Sequence, residues 1–175
     1  GLEPQGRYAL FVLRPWHGFT QKKQSLVDAA NTAYQTYGLT PVFFALEPGR
    51  DLGVTREVRA ALDCPSVLLT TPEDEKLIIG MMRRMALVVS MRLHTLIFAS
   101  SVGAPLVALS YDPKVTGFMR YIGQKHCVEF DTMTREALLA QIGEVLSEPE
   151  RYDVSHLRAL AEENEQIARK LLEEA

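Results

Sequence analysis

The apolar residues of this chain fall into short unbroken runs, and stretches of helical spacing lie between them. Tyr8 to Leu13 is the first run, ended by Arg14-Pro15. Leu26, Val27, Ala30, Ala33, Tyr34 and Tyr37 then recur at helical spacing as far as Gly38, which stops a helix. Pro41 to Leu46 is a second run closed by Pro48-Gly49, residues 51–62 read as a short helix, and Ser66 to Thr70 is a third run. Pro72 predicts the first turn of the next helix, with Glu73, Asp74 and Glu75 where the helix dipole favours acids. Ala86 to Ser90 is a fourth run, followed by a helix from about His94 to Val102 that Gly103-Ala104-Pro105 ends. Pro105 to Ser110 is a fifth, Asp112-Pro113 reads as an N-cap and first helical residue, and Cys127 to Phe130 is a short sixth run. Helices near 134–147 and 155–173 close the chain. In the last, Leu157, Leu160, Ala161, Ala168, Leu171 and Leu172 share one face.

Strands that alternate with helices and are apolar on both sides belong to a parallel sheet covered on both faces. The expected fold class is therefore α/β, a doubly wound Rossmann-like sheet, with right-handed crossovers favouring the order 3-2-1-4-5-6. Residues 1–175 make one such domain. Ligands of open parallel sheets bind beyond the carboxyl ends of the strands, where the strand order reverses, here between strands 1 and 4. Strand 1 ends in Arg14, then Trp16 and His17. Strand 4 ends in Ser90-Met91-Arg92-Leu93-His94-Thr95, and strand 5 in Ser110-Tyr111-Asp112-Pro113-Lys114. Two arginines distant in sequence are expected to converge on one crevice, where their rigid donor forks suit phosphate or carboxylate. The helix opened near Thr95 adds backbone N–H groups and a positive dipole end. An anion site for a small phosphorylated ligand is the expectation.

Composition narrows the picture only a little. With 47% apolar and 23% charged residues and a formal net charge of -3, nothing global points to nucleic acid or an anionic membrane. No apolar run approaches the roughly 20 residues that span a bilayer. No signal peptide is evident either, so the cytoplasm is the default expectation. Cys64 and Cys127 lack metal-ligand spacing and read as small, buried, reduced residues, and no His/Cys/Asp cluster suggests a metal. No Gly-x-Gly-x-x-Gly follows strand 1, which disfavours a dinucleotide cofactor. Met81, Met82 and Met85, placed on one helix, read as core filling, Trp16 as packing, and His126 and His156 as structural. The opening Gly1-Leu2-Glu3-Pro4, without methionine, reads as a piece cut from a larger protein inside a linker.

The run Ser90-Met91-Arg92-Leu93-His94-Thr95-Leu96-Ile97-Phe98-Ala99, with Gly103-Ala104-Pro105 and Ser110-Tyr111-Asp112-Pro113-Lys114-Val115, resembles the polysaccharide pyruvyl transferase family. Together with Arg14-Pro15-Trp16 it is most similar to the bacterial branch that pyruvylates secondary cell-wall polymers to anchor surface-layer proteins. The resemblance runs from about residue 8 to 147. It implies the C-terminal half of a two-domain transferase of the glycosyltransferase-B kind, with the active site in the cleft between halves, so that this half would be inactive alone. It implies phosphoenolpyruvate as co-substrate and no cofactor. The partner acceptor would be a sugar such as N-acetylmannosamine on a lipid-linked or polymeric cell-wall precursor. By this match Arg92 and His94 are carried over to the donor site with Leu93 between them, and Arg14 less directly. Nothing is carried over around residues 47–75.

On that footing Arg92 and Arg14 are expected to hold the phosphate and carboxylate of the donor, and Lys114 and Tyr111 to contact donor or sugar. A histidine titrating near neutrality suits proton transfer, so His94 is the expected acid or base, with phosphate binding alone as its other role. Two other readings stand beside this one. A sugar-nucleotide transferase of the same fold would place a diphosphate at the same rim and an acidic residue on the ribose, for which Glu129 and Asp131 are poor candidates. A non-catalytic domain would use Arg14 and Arg92 to bind an anionic glycan.

Overall fold

In the computed structural model, which describes residues 2–3, 5–70, 74–148 and 155–173, six parallel strands form one sheet. The elements in chain order are β1 (Tyr8–Val12), α1 (Phe19–Tyr37), β2 (Thr40–Phe44), α2 (Pro48–Ala60), β3 (Val67–Leu69), α3 (Glu75–Met82), β4 (Met85–Ser90), α4 (Leu93–Ser101), β5 (Leu106–Ser110), α5 (Pro113–Tyr121), β6 (Cys127–Glu129), α6 (Arg135–Ser147) and α7 (Ser155–Glu173). Their order across the sheet is β3-β2-β1-β4-β5-β6, the doubly wound order expected of right-handed crossovers.

β1 lies in the middle and all five of its residues are buried. Because side chains alternate along a strand, its residues feed two separate cores. Ala9, Phe11 and Leu13 pack with Phe43, Leu87 and Val89 under α1 and α6, through Leu26, Ala30, Leu138 and Ile142. Tyr8, Leu10 and Val12 pack with Val42, Phe44 and Val88 under α3, α4 and α5, through Met82, Leu96, Ala99, Val115 and Met119. The apolar runs at the centre of the sheet, β1, β4 and β5, are thus strands with almost no solvent side, whereas the edge strands β3 and β6 are partly exposed. Gly38 takes a left-handed conformation (φ 65°), and the N–H groups of Gly38 and Leu39 close α1 on the carbonyls of Tyr34 and Ala33.

Several boundaries differ from expectation. α2 begins three residues early, since Pro48 supplies a fixed φ at its first position. Asp74 caps α3 through the N–H of Lys76, and Pro72 and Glu73 lie outside the described residues. Met85 opens β4 rather than extending the preceding helix, because it pairs with Tyr8 of β1; it is buried all the same, beside Met82. Cys64 and Cys127 are free and half-buried rather than buried. α7 departs most. Leu160, Ile167, Leu171 and Leu172 are exposed, as are Ala161 and Ala168, so its apolar stripe is not part of either core; the side chains of His156 and Leu157 lie outside the described residues. No helix among the described residues is long and apolar enough to cross a membrane.

Phe11 stacks on Phe43 at 5.5 Å between β1 and β2 and is fully buried. Phe11→Ala is expected to cost about 3–5 kcal/mol, and Tyr121→Ala on the exposed end of α5 within about 0.5 kcal/mol, both read from urea midpoints.

Candidate functional site

The sheet leaves little choice about where polar chemistry can sit. β1 and β4 pair as far as Val12 and Ser90, and the N–H of Met91 still donates to the carbonyl of Val12 at 2.9 Å. Arg14 and Arg92 therefore leave the sheet from adjacent strands at the same rim, on either side of the point where strand order reverses.

The β4–α4 turn is rigid. The buried Ser90 hydroxyl accepts from the Arg92 N–H at 2.9 Å and donates to the Arg92 carbonyl at 3.1 Å. Arg92 is itself the N-cap residue of α4 in extended conformation, and no side chain caps the helix, so its first-turn N–H donors face the rim. His94 is exposed on that first turn and Leu93 half-buried before it. Thr95 does not open the helix. It is the third residue of α4 and is fully buried, with no partner for its hydroxyl among the described residues.

Arg92 is 6% exposed, and its guanidinium is held from three directions. Nε donates to Asp51 Oδ2 at 3.1 Å, Nη2 donates to Asp51 Oδ1, and Nη1 donates to Glu47 Oε1 at 2.6 Å. Asp51 is fully buried in the first turn of α2 and also accepts from the Glu47 N–H at 3.0 Å. Burial by itself lowers the Arg92 pKa, but the hydrogen bonds and charges of Asp51 and Glu47 outweigh it and leave the guanidinium above its ordinary value. Neither acid was expected from the sequence. The one available signal was an acid in the first turn behind Pro48-Gly49, and it said nothing about a partner 41 residues away.

Arg14 reaches the other way. Its Nη1 donates to the Tyr111 hydroxyl at 2.5 Å, and its guanidinium carbon lies 4.5 Å from the Tyr111 ring centroid and 5.5 Å from that of Trp16. The two rings are 4.6 Å apart and tilted by 54°, and Trp16 remains 36% exposed. Arg14 Nε is buried without a partner among the described residues, an uncommitted donor at the rim. Asp112 caps α5 through the N–H of Lys114, whose exposed ammonium stands 3.8 Å from Asp112 and 5.9 Å from the Tyr111 ring. The arginines thus share a rim while their head groups turn apart, Arg92 towards α2 and Arg14 towards Tyr111. Glu129 and Asp131 line a cleft of about 370 Å³ that Tyr111 and Asp112 also line, with Thr116 and Arg120. His126 sits at the opposite end of β6, hydrogen-bonded to Gln141 at 3.0 Å.

Removing one member of a buried ion pair leaves the other charge uncompensated. Arg92→Ala and Asp51→Ala are each expected to destabilise the fold by about 3–5 kcal/mol, whereas Arg92→Met combined with Asp51→Leu is expected to be markedly less costly, measured by urea unfolding.

The fold is shared with sugar-handling enzymes. The UDP-GlcNAc 2-epimerase of Methanocaldococcus jannaschii, solved with UDP-GlcNAc and UDP, aligns over 83% of this chain and 40% of its own, with TM-score 0.62 and 14% identity. A family 9 glycosyl transferase from Veillonella parvula aligns over 83% and 47%, with TM-score 0.58 and 15% identity. The C-terminal domain of a group 1 glycosyl transferase from Francisella tularensis aligns over 85% and 80%, with TM-score 0.56 and 18% identity. The chain spans about two fifths of the length of the epimerases it matches. At these identities the likeness is one of fold, the Rossmann-like unit of the glycosyltransferase-B kind. No curated protein matches the chain. The sequence of the polysaccharide pyruvyl transferase family matches residues 3–113, a segment that contains Arg14, Arg92, Leu93 and His94 and stops one residue short of Lys114. A match over more than half of the chain, on a sheet of the expected order, makes this chain a member of the polysaccharide pyruvyl transferase family.

Proposed function

We propose that this chain carries the donor site of an enzyme that moves pyruvate from phosphoenolpyruvate onto two hydroxyls of a cell-wall sugar, as a ketal. The observation that supports this most directly is the coincidence of the family match with the rim where β1 and β4 end. That rim offers two guanidinium groups, the open N-terminus of α4 and an exposed histidine on its first turn.

Phosphoenolpyruvate brings a phosphate and a carboxylate, and charge-assisted bonds from Arg92 and Arg14, with the first N–H groups of α4, suit both. Lys114 adds a third, exposed charge next to Tyr111. The reaction needs a proton delivered to the vinyl carbon, which leaves the central carbon electrophilic. One sugar hydroxyl adds there and loses its proton, the carbon–oxygen bond to phosphorus breaks, and phosphate departs with the electron pair. The second hydroxyl then adds and loses its proton to close the ketal. Of the two hydroxyl protons one balances the proton placed on carbon and the other leaves with phosphate. In this reading the exposed His94 delivers or accepts such a proton and the half-buried Leu93 walls the donor from water. Arg92 and Arg14 stabilise the charge gathering on the leaving phosphate. The acceptor is a polysaccharide or its lipid-linked precursor in this reading, and the cytoplasm, where phosphoenolpyruvate is made, is the compartment it requires.

Calorimetric titration of the chain with phosphoenolpyruvate at low salt tests the donor site, since screening weakens such contacts. Binding is expected, and it is expected to vanish in the packed variant Arg92→Met/Asp51→Leu. Binding that survives in that variant overturns the role of Arg92, and binding of uridine diphosphate in place of phosphoenolpyruvate overturns the donor assignment in favour of a sugar nucleotide. In the assembled enzyme His94→Gln is expected to lower kcat by about 100-fold or more with little change in donor affinity, and retention of turnover would make His94 a phosphate ligand only.

A further inference from the structure

The guanidinium that the donor needs is already occupied. Arg92 carries one positive charge and faces two carboxylates, one of which, Glu47, is shared with the exposed Arg50, so the four ionised groups together are neutral. An anion approaching Arg92 meets the half-exposed Glu47 carboxylate, which engages Nη1.

The two carboxylates are not equivalent. Asp51 is fully buried, both of its oxygens accept from Arg92, and one also accepts the Glu47 N–H, so it cannot leave without opening α2. Glu47 is held to Arg92 by one oxygen only, its side chain is 46% exposed, and its other oxygen lies 3.4 Å from Nη1 of the exposed Arg50. Glu47 is also the N-cap residue of α2, yet its side chain makes no capping bond; it extends instead to Arg92. Nothing in the fold requires it there.

We propose that Glu47 is an internal competitor for the anion at Arg92. It occupies Nη1 while the site is empty, and an incoming carboxylate or phosphate displaces it onto Arg50. Asp51 is the fixed positioning residue and Glu47 the exchangeable one. Displacement removes one negative charge from the guanidinium and frees Nη1 to donate to the incoming anion. The inference rests on the reading of Arg92 as a donor ligand.

Titration with phosphoenolpyruvate distinguishes the two. Glu47→Gln is expected to bind about three- to fivefold tighter than the unaltered chain, the size of a half-exposed ion pair converted to a ratio of Kd. Glu47→Asp keeps the charge but retracts it by one methylene into a residue that favours capping α2, and it is expected to tighten binding as well. Arg50→Gln is expected to weaken binding about twofold when Glu47 is present and to do nothing in the Glu47→Gln background. Unchanged or weaker binding in Glu47→Gln, or wild-type affinity in Glu47→Asp, overturns the competitor and leaves the donor site standing. Absence of binding to both the unaltered chain and Glu47→Gln, each folded by thermal melting, overturns the donor reading and the competitor together.

Discussion

A strand with apolar contacts on both faces has no polar side chain to offer until its backbone leaves the sheet, and this constraint shapes the whole molecule. β1 and β4 are buried over nearly all of their length, so the first positions free to carry charge are the ones just beyond Val12 and Ser90. Every group of the candidate site follows from it. Arg14 and Arg92 are neighbours because β1 and β4 are, and Tyr111 and Glu47 join them because β5 and β2 flank that pair. Parallel topology then sends all these ends in one direction.

The second level of organisation is electrostatic. The two arginines at the rim lie close to the core, and each is tied down in a different way. Arg92 is buried and takes a fixed carboxylate, whose own cost of burial is offset by the α2 backbone and by two guanidinium donors. Arg14 is half-buried and is held by aromatic side chains, with no carboxylate paired to it and one donor unused among the described residues. The rim therefore carries one arginine paired with carboxylates and one held by aromatic side chains.

The sheet and its order were legible because each strand is a closed apolar run and each helix a periodic one, and because crossover handedness leaves one simple arrangement. The strand-end residues were legible for the same reason: Arg14, Arg92 and His94 follow the runs immediately. Their partners were not. Glu47 and Asp51 lie 45 and 41 residues from Arg92, and Tyr111 lies 97 residues from Arg14, so no local pattern pairs them. Which way a long side chain turns at a rim depends on what the flanking loop supplies, and that is known only once the loop is built. α7 makes the complementary point. Periodicity tells which residues share its face, Leu160 with Leu171, but not what that face meets.

Trp16 is the chain's one tryptophan, and it stands at the rim, partly in solvent, against Tyr111 and the Arg14 guanidinium. Tryptophan fluorescence, excited beyond the absorption of the six tyrosines, is consequently a local signal in this protein. A shift in emission wavelength or a change in quenching by iodide reports the immediate surroundings of one loop and is silent about both cores, so a spectrometer can watch this corner of the molecule with no label attached.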